Sequence, residues 1–164
     1  MFSFTETIVR EAHAAIEEHT CIYFWKLGKD VTVPEGRPYI GYDIQSQACH
    51  ARLGRENTMN RIEFGRCKSF ASILHETMHA LGFIHEHQRP DSYYFVVVDY
   101  ENIPFKNQKN FKPVDSSRFD IPLNDERYYY DYSSIMHYKW NEFALYNYRY
   151  TLKPICNVPN WKLG

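Results

Sequence analysis

A chain of 164 residues with 19 basic and 20 acidic side chains is the size of one domain with its own core, and it is close to electrical neutrality. That balance excludes an electrostatic nucleic-acid binder and a polybasic membrane patch, and no apolar run approaches the length of a membrane span. The 14 tyrosines and 11 phenylalanines read as core and strand packing, with a minority left to line a peptide groove.

The opening Met1-Phe2-Ser3-Phe4-Thr5-Glu6 meets a charge too early to be an apolar targeting segment. Thr5 is placed to cap a helix that runs to about His19, with Ile8, Val9, Ala12, Ala15 and Ile16 as its apolar stripe. Cys21-Ile22-Tyr23-Phe24-Trp25 is a dense aromatic and β-branched run and is read as a strand. Pro34-Glu35-Gly36 is a turn, Tyr39 to Tyr42 a second strand and Asn60 to Phe64 a third. Ser69 opens a second helix whose expected buried face is Phe70, Ile73, Leu74, Met78 and Leu81. Beyond Asp91 the regular signals fade, leaving an apolar stretch from Tyr94 to Val98 and a short helix around Asn102 to Phe111. The expected architecture is α+β: a twisted sheet with two long helices in the N-terminal half and an irregular C-terminal half, as one domain over residues 1–164.

The second helix carries the chemistry. In His75-Glu76-Thr77-Met78-His79-Ala80-Leu81-Gly82-Phe83-Ile84-His85, His75 and His79 are four apart and share one helix face. Two neutral imidazoles so placed grip a zinc ion. Glu76 comes to the edge of that site, near enough to polarise a water on the metal without ligating it. Gly82 ends the helix cheaply in the left-handed conformation, and the chain turns back to deliver His85 as the third ligand. All three histidines must be neutral to bind. Zinc held by three protein nitrogens keeps a position for water, and Glu76 would act as general base and return the proton to the leaving amine. The four cysteines, Cys21, Cys49, Cys67 and Cys156, allow three pairings in an oxidising compartment.

The run His85-Glu86-His87-Gln88-Arg89-Pro90-Asp91 resembles the astacin family of zinc metalloendopeptidases, of the metzincin clan, which continues its third zinc histidine in this way. Downstream, Tyr130-Asp131-Tyr132-Ser133-Ser134-Ile135-Met136-His137-Tyr138 is similar to that family's methionine turn. Weaker matches from about Ile16 to about Pro154 include Thr20-Cys21-Ile22, Cys49 with Gly54-Arg55, Gly65 with Cys67, Asn102-Ile103 and Asn110-Phe111. The resemblance implies a secreted zinc endopeptidase acting on protein or peptide substrates, with the zinc helix as floor of a cleft between two subdomains. It implies a Cys49–Cys67 disulfide, Met136 as the hydrophobic base beneath the metal, and Tyr138 as a residue that can ligate the metal and swing away to stabilise the transition state. It leaves His87 and His137 outside the ligand set. It also gives Glu86 the role of anchoring a buried amino terminus.

The chain departs from the family in lacking a strand before the first helix and a final helix with its cysteine, and in having Ser92 after Asp91. Cys156 does not fall at the family's last cysteine, so the resemblance leaves Cys21 and Cys156 unassigned. These gaps lead us to expect a fragment or an incomplete gene model, with a Glu86 carboxylate that lacks the amino terminus as its partner. The competing expectations are a truncated zinc-binding protein without catalysis and a recognition module that uses exposed aromatics.

Overall fold

The computed structural model describes residues 4–28, 30–118, 128–157 and 163. The chain divides between Phe83 and Ile84 into two units.

In the first unit, helix α1 spans Phe4–His19 and buries Ile8, Ala12 and Ile16 of the predicted stripe, with Val9 and Ala15 half-buried. Strands β1 (Tyr39–Asp43) and β2 (Met59–Glu63) pair in parallel, with Tyr39 opposite Met59 and Asp43 opposite Glu63. Helix α2 spans Phe70–Ala80 and packs on α1. Between them Ile8, Ala12, Ala51, Ile62, Phe64, Ile73 and Ala80 form one buried cluster. Burying a side chain such as Ile62, Phe64 or Ile73, each 0% exposed, is worth about 1.5–3 kcal/mol. Just past β2, Gly65 passes so close to the chain that a Cβ there would run into the Ser46 carbonyl oxygen.

A chain of hydrogen bonds crosses this core. The Thr77 hydroxyl donates to the Ile73 carbonyl at 2.7 Å. Its one proton is thereby used, so the Tyr42 hydroxyl must donate to Thr77 Oγ1 at 3.1 Å. The Tyr42 oxygen then accepts from His13 Nε2 at 2.6 Å. Burial pushes the Tyr42 phenol up to about 12, against the Thr77 hydrogen bond, and pushes His13 down, against the charge of Glu17.

Two expectations are corrected here. Cys21 to Trp25 is not a strand. The Phe24 ring stacks on His13 at 3.8 Å, and the Phe24 N–H donates to Glu17 Oε1 at 2.7 Å. The Ile22 N–H goes to the Thr20 hydroxyl at 3.1 Å. Side chains therefore satisfy backbone groups that a sheet would have used, and Tyr23 and Trp25 project into solvent. Phe70 is the second correction. It sits in the first turn of α2, beside exposed Lys68 and Ser69, and is 42% exposed. The buried stripe of α2 is Ile73, Glu76, Thr77 and Ala80.

In the second unit, strands β3 (Val96–Val98) and β4 (Leu152–Pro154) pair antiparallel, with Val97 opposite Lys153. Val96, Ile103, Phe111, Tyr130 and Leu152 make its core. Much of the remainder is turns of 3-10 helix, at Glu86–Gln88, Ser92–Tyr94, Tyr100–Asn102, Phe105–Phe111 and Ser116–Arg118. The helix expected around Asn102 to Phe111 is thus two 3-10 segments interrupted near Pro104, whose missing N–H cannot continue a ladder.

Glu86 does not lack a partner. It accepts from Arg89 Nη1 at 2.8 Å and from the Asp131 N–H at 3.0 Å. Arg89 also pairs side-on with Asp91, Nε to Oδ1 at 3.0 Å and Nη2 to Oδ2 at 2.9 Å. It donates further to the Tyr129 and Tyr128 carbonyls at 3.1 and 2.8 Å. Burial works against the guanidinium charge, but Asp91 and Glu86 outweigh it and raise its pKa.

Candidate active site

Helix α2 begins at Ser69, whose hydroxyl accepts from the Ser72 N–H at 3.1 Å, an N-cap that replaces one missing backbone bond. It ends at Ala80 with Leu81 as C-cap, and Gly82 follows in the left-handed region with φ 106°. The Gly82 N–H returns to the His79 carbonyl at 2.9 Å and the Phe83 N–H to the Met78 carbonyl at 3.0 Å. The reversal brings the Phe83 carbonyl over the His79 ring, where it lies 2.8 Å from Nδ1. A carbonyl only accepts, so Nδ1 carries the proton and Nε2 keeps its lone pair. Burial, with the neighbouring His75 and His50 adding to it and the Phe83 carbonyl opposing, pushes His79 down to about 4, so the ring is neutral as a ligand requires. The His75 and His79 rings meet edge to face at 4.6 Å.

Glu76 is buried, at 6% exposure. Its Oε2 has no hydrogen-bond partner among the described residues. Its Oε1 lies 3.7 Å from the sulfur of Cys49. Cys49 is bonded to Cys67 and has no proton to give, so that contact is packing. The predicted disulfide therefore forms one wall of the carboxylate's pocket. Burial pushes Glu76 up to about 7, against a hydrogen bond from the Ala51 backbone, where a carboxylate can serve as a base near neutrality. The Gly54 N–H donates to the His79 carbonyl at 2.8 Å. Asn60 holds the same loop through the Arg52 and Gly54 carbonyls at 2.8 and 2.7 Å.

In the second unit His85 precedes the turn Glu86–Gln88, and its Nδ1 lies 3.0 Å from Gln88 Oε1. The Tyr138 ring lies 4.5 Å from His85 and 4.1 Å from His87. Phe111 and Phe143 flank it at 5.4 and 5.5 Å, and Phe143 is held at a φ of 56°. Met136 is 3% exposed, and its carbonyl accepts from the Glu86 N–H at 2.9 Å. His137 is occupied on both sides. Its Nδ1 donates to the Tyr138 carbonyl at 2.6 Å, so its Nε2 accepts from the Tyr130 hydroxyl at 2.7 Å. His87 is fully buried, with Nε2 donating to the Asn110 carbonyl at 3.0 Å.

The sequence reading missed Gln88 and Phe143. For Gln88 a signal exists: positions three apart eclipse in a 3-10 turn, which sets it beside His85. Phe143 has none, because nothing local predicts a phenylalanine with positive φ.

The family model described as Astacin (Peptidase family M12A) matches residues 2–164. The chain belongs to the astacin family. It is 34% identical over 168 residues to the dorsal-ventral patterning protein tolloid of Drosophila melanogaster, covering 96% of this chain and 15% of that protein. It is 35% identical over 123 residues to high choriolytic enzyme 1 of Oryzias latipes, covering 74% of this chain and 43% of the relative. Astacin-like metalloprotease toxin 1 of Loxosceles intermedia is 30% identical, over 92% of this chain and 54% of the toxin. The chain thus spans about half or less of the length of these curated relatives. Among solved structures, high choriolytic enzyme 1, a hatching enzyme zinc-protease from Oryzias latipes, matches with a TM-score of 0.77 at 31% identity. That match covers 96% of this chain and 74% of the other and establishes the astacin α+β fold. Zinc is the cofactor that the family and this zinc-protease imply. His75, His79 and His85 are a group able to hold a metal ion, and an all-imidazole donor set suits zinc.

Proposed function

We propose that this astacin-family chain is a zinc-dependent endopeptidase that hydrolyses peptide bonds in proteins, with His75, His79 and His85 as the zinc ligands. The observation that carries the reading is Glu76: a buried carboxylate next in sequence to a histidine of the donor set, with one oxygen left without a partner among the described residues. Zinc, when bound, supplies a Lewis acid that acidifies water and polarises a carbonyl. Glu76 takes the proton of the attacking water on Oε2 and hands it to the leaving amine. Burial in a pocket walled by the disulfide sulfur raises its pKa to about 7, so it can take up and release a proton near neutral pH. Tyr138, packed against His87 and Phe143, donates a hydrogen bond from its phenol to the oxygen on which negative charge develops. Met136, buried in the methionine turn, would serve as the hydrophobic base of the metal site without bonding the metal. The Cys49–Cys67 bridge supports an extracellular location, since such bonds persist in oxidising compartments.

The test is cleavage of a quenched casein substrate by the purified, oxidised chain, with and without a zinc chelator, beside Glu76→Ala. Chelator-sensitive cleavage that returns with added zinc and is lost in the variant is expected. A folded, zinc-loaded chain without cleavage would replace the reading with that of a zinc-binding protein.

A further inference from the structure

Gln88 presents its side-chain amide in two directions. One end faces His85 Nδ1 at 3.0 Å and the other faces the Lys112 carbonyl at 3.4 Å. The Lys112 carbonyl can only accept, so the NH2 end of the amide must point to it. The oxygen end is then the one facing His85. That oxygen also only accepts, so the proton of the His85 ring must sit on Nδ1 and the lone pair on Nε2. The backbone carbonyl of Lys112 thus dictates the tautomer of His85 through one intervening amide. The segment is pinned at the same place by the main chain, where the Val114 N–H donates to the Gln88 carbonyl at 2.8 Å. His79 reaches the same protonation pattern directly, from the Phe83 carbonyl. The two rings are therefore set by different devices, one backbone and one side chain, and only the second can be removed by substitution.

We propose that Gln88 is a positioning residue for zinc: through the fixed orientation of its amide it holds His85 in the Nδ1–H tautomer, with Nε2 as the metal-binding atom. This rests on the zinc reading of the site. Partners behind a metal-bound histidine typically contribute 10- to 100-fold in metal affinity, by fixing the tautomer and raising the basicity of the ligating nitrogen.

The experiment compares full-length wild type, Gln88→Met, Gln88→Glu and His85→Ala. Zinc affinity is read by competition with a chromophoric chelator, and the His85 tautomer by two-bond nitrogen–proton correlations in the metal-free protein. Gln88→Met keeps the length of the side chain but has no acceptor. We expect it to weaken zinc binding by roughly 10- to 100-fold and to leave His85 a mixture of tautomers. Gln88→Glu restores an acceptor and loses only the bond to Lys112; it should keep the Nδ1–H tautomer and hold zinc within a few-fold of wild type. Should Gln88→Met fail to fold, Gln88→Ala carries the same expectation. The inference is overturned if Gln88→Met matches wild type in both measurements, or if Gln88→Glu loses as much as Gln88→Met. Zinc binding unchanged in His85→Ala would instead remove the ligand assignment, and this inference with it.

Discussion

Arg89 donates to Glu86 at 2.8 Å from a guanidinium that makes five hydrogen bonds with its five N–H groups, to two carboxylates and two backbone carbonyls. Glu86 in turn accepts the Asp131 N–H, so the turn after His85 and the segment leading to Met136 share one ion cluster. Glu86 and Asp91 are each mostly buried against Arg89, with side-chain exposures of 16% and 11%.

Arg89→Met would therefore leave two carboxylates without their counter-charge. Removing one partner of a buried pair costs about 3–5 kcal/mol. Urea denaturation at neutral pH should show a loss on that scale. A loss below about 1 kcal/mol, typical of an exposed pair, would mean that the cluster is solvated in solution.

Tyr138→Phe removes a hydroxyl while keeping a ring that packs against His85, His87, Phe111 and Phe143. Zinc content and stability should stay close to wild type. Turnover should fall by roughly 10²- to 10³-fold, or about 2.7–4 kcal/mol, the scale of one lost oxyanion donor. Unchanged steady-state kinetics would make the residue structural.

Glu76 gives a pH signature in the metal-free chain. Its pKa is raised by burial from 4.5 to about 7, so the folded state holds a proton that the unfolded state has released. Its share of stability is present below pH 4.5 and is lost as pH rises to about 7, on the order of 3 kcal/mol. His79 and His87, pushed down to about 4 and about 3 by burial, act in the opposite sense. Stability is lost through them as pH falls below 6.5. The comparison must therefore be between Glu76→Gln and wild type. The variant should gain relative stability from pH 5 to pH 8, and a constant difference between the two would contradict the buried, protonated carboxylate.

The Cys49–Cys67 bridge closes a loop of sequence separation 18, and cross-linking a loop of that size is worth roughly 3 kcal/mol in the chain-entropy account. The paired Cys49→Ala, Cys67→Ala variant should lose about that much stability. Because Cys49 also walls Glu76 at 3.7 Å, opening the pocket should lower the pKa of Glu76. The acid limb of the pH–rate profile should move down in the variant, a change that a purely structural bridge would not produce.

Helix α2 was legible because its meaning is local. A serine cap, two histidines one turn apart and a glycine at a positive φ are all read within one short segment. Glu76 was named for its spacing, but its burial depends on Ala51 and Cys49, which no pattern around it could supply. Cys21 to Trp25 misled because aromatic and β-branched density is a property of composition, whereas the outcome depended on Phe24 finding His13. Phe70 misled because a helical stripe does not say how far the core extends along it. The resemblance gives Glu86 a distant terminus as its partner, yet the charge that pairs with it lies three residues on, at Arg89.

The chain from His13 through Tyr42 to Thr77 and Ile73 has a fixed direction, since every donor in it is used. Thr77 follows Glu76 on the same helix and faces the interior. Turning α2 about its own axis by even a fraction of a residue would pull Thr77 off Tyr42. The network thus acts as a key in a slot: α1 and β1 hold the angular setting of the helix that carries His75, Glu76 and His79. Loss of the imidazole at His13 would be felt first as a misaimed Glu76 carboxylate, next in sequence to Thr77.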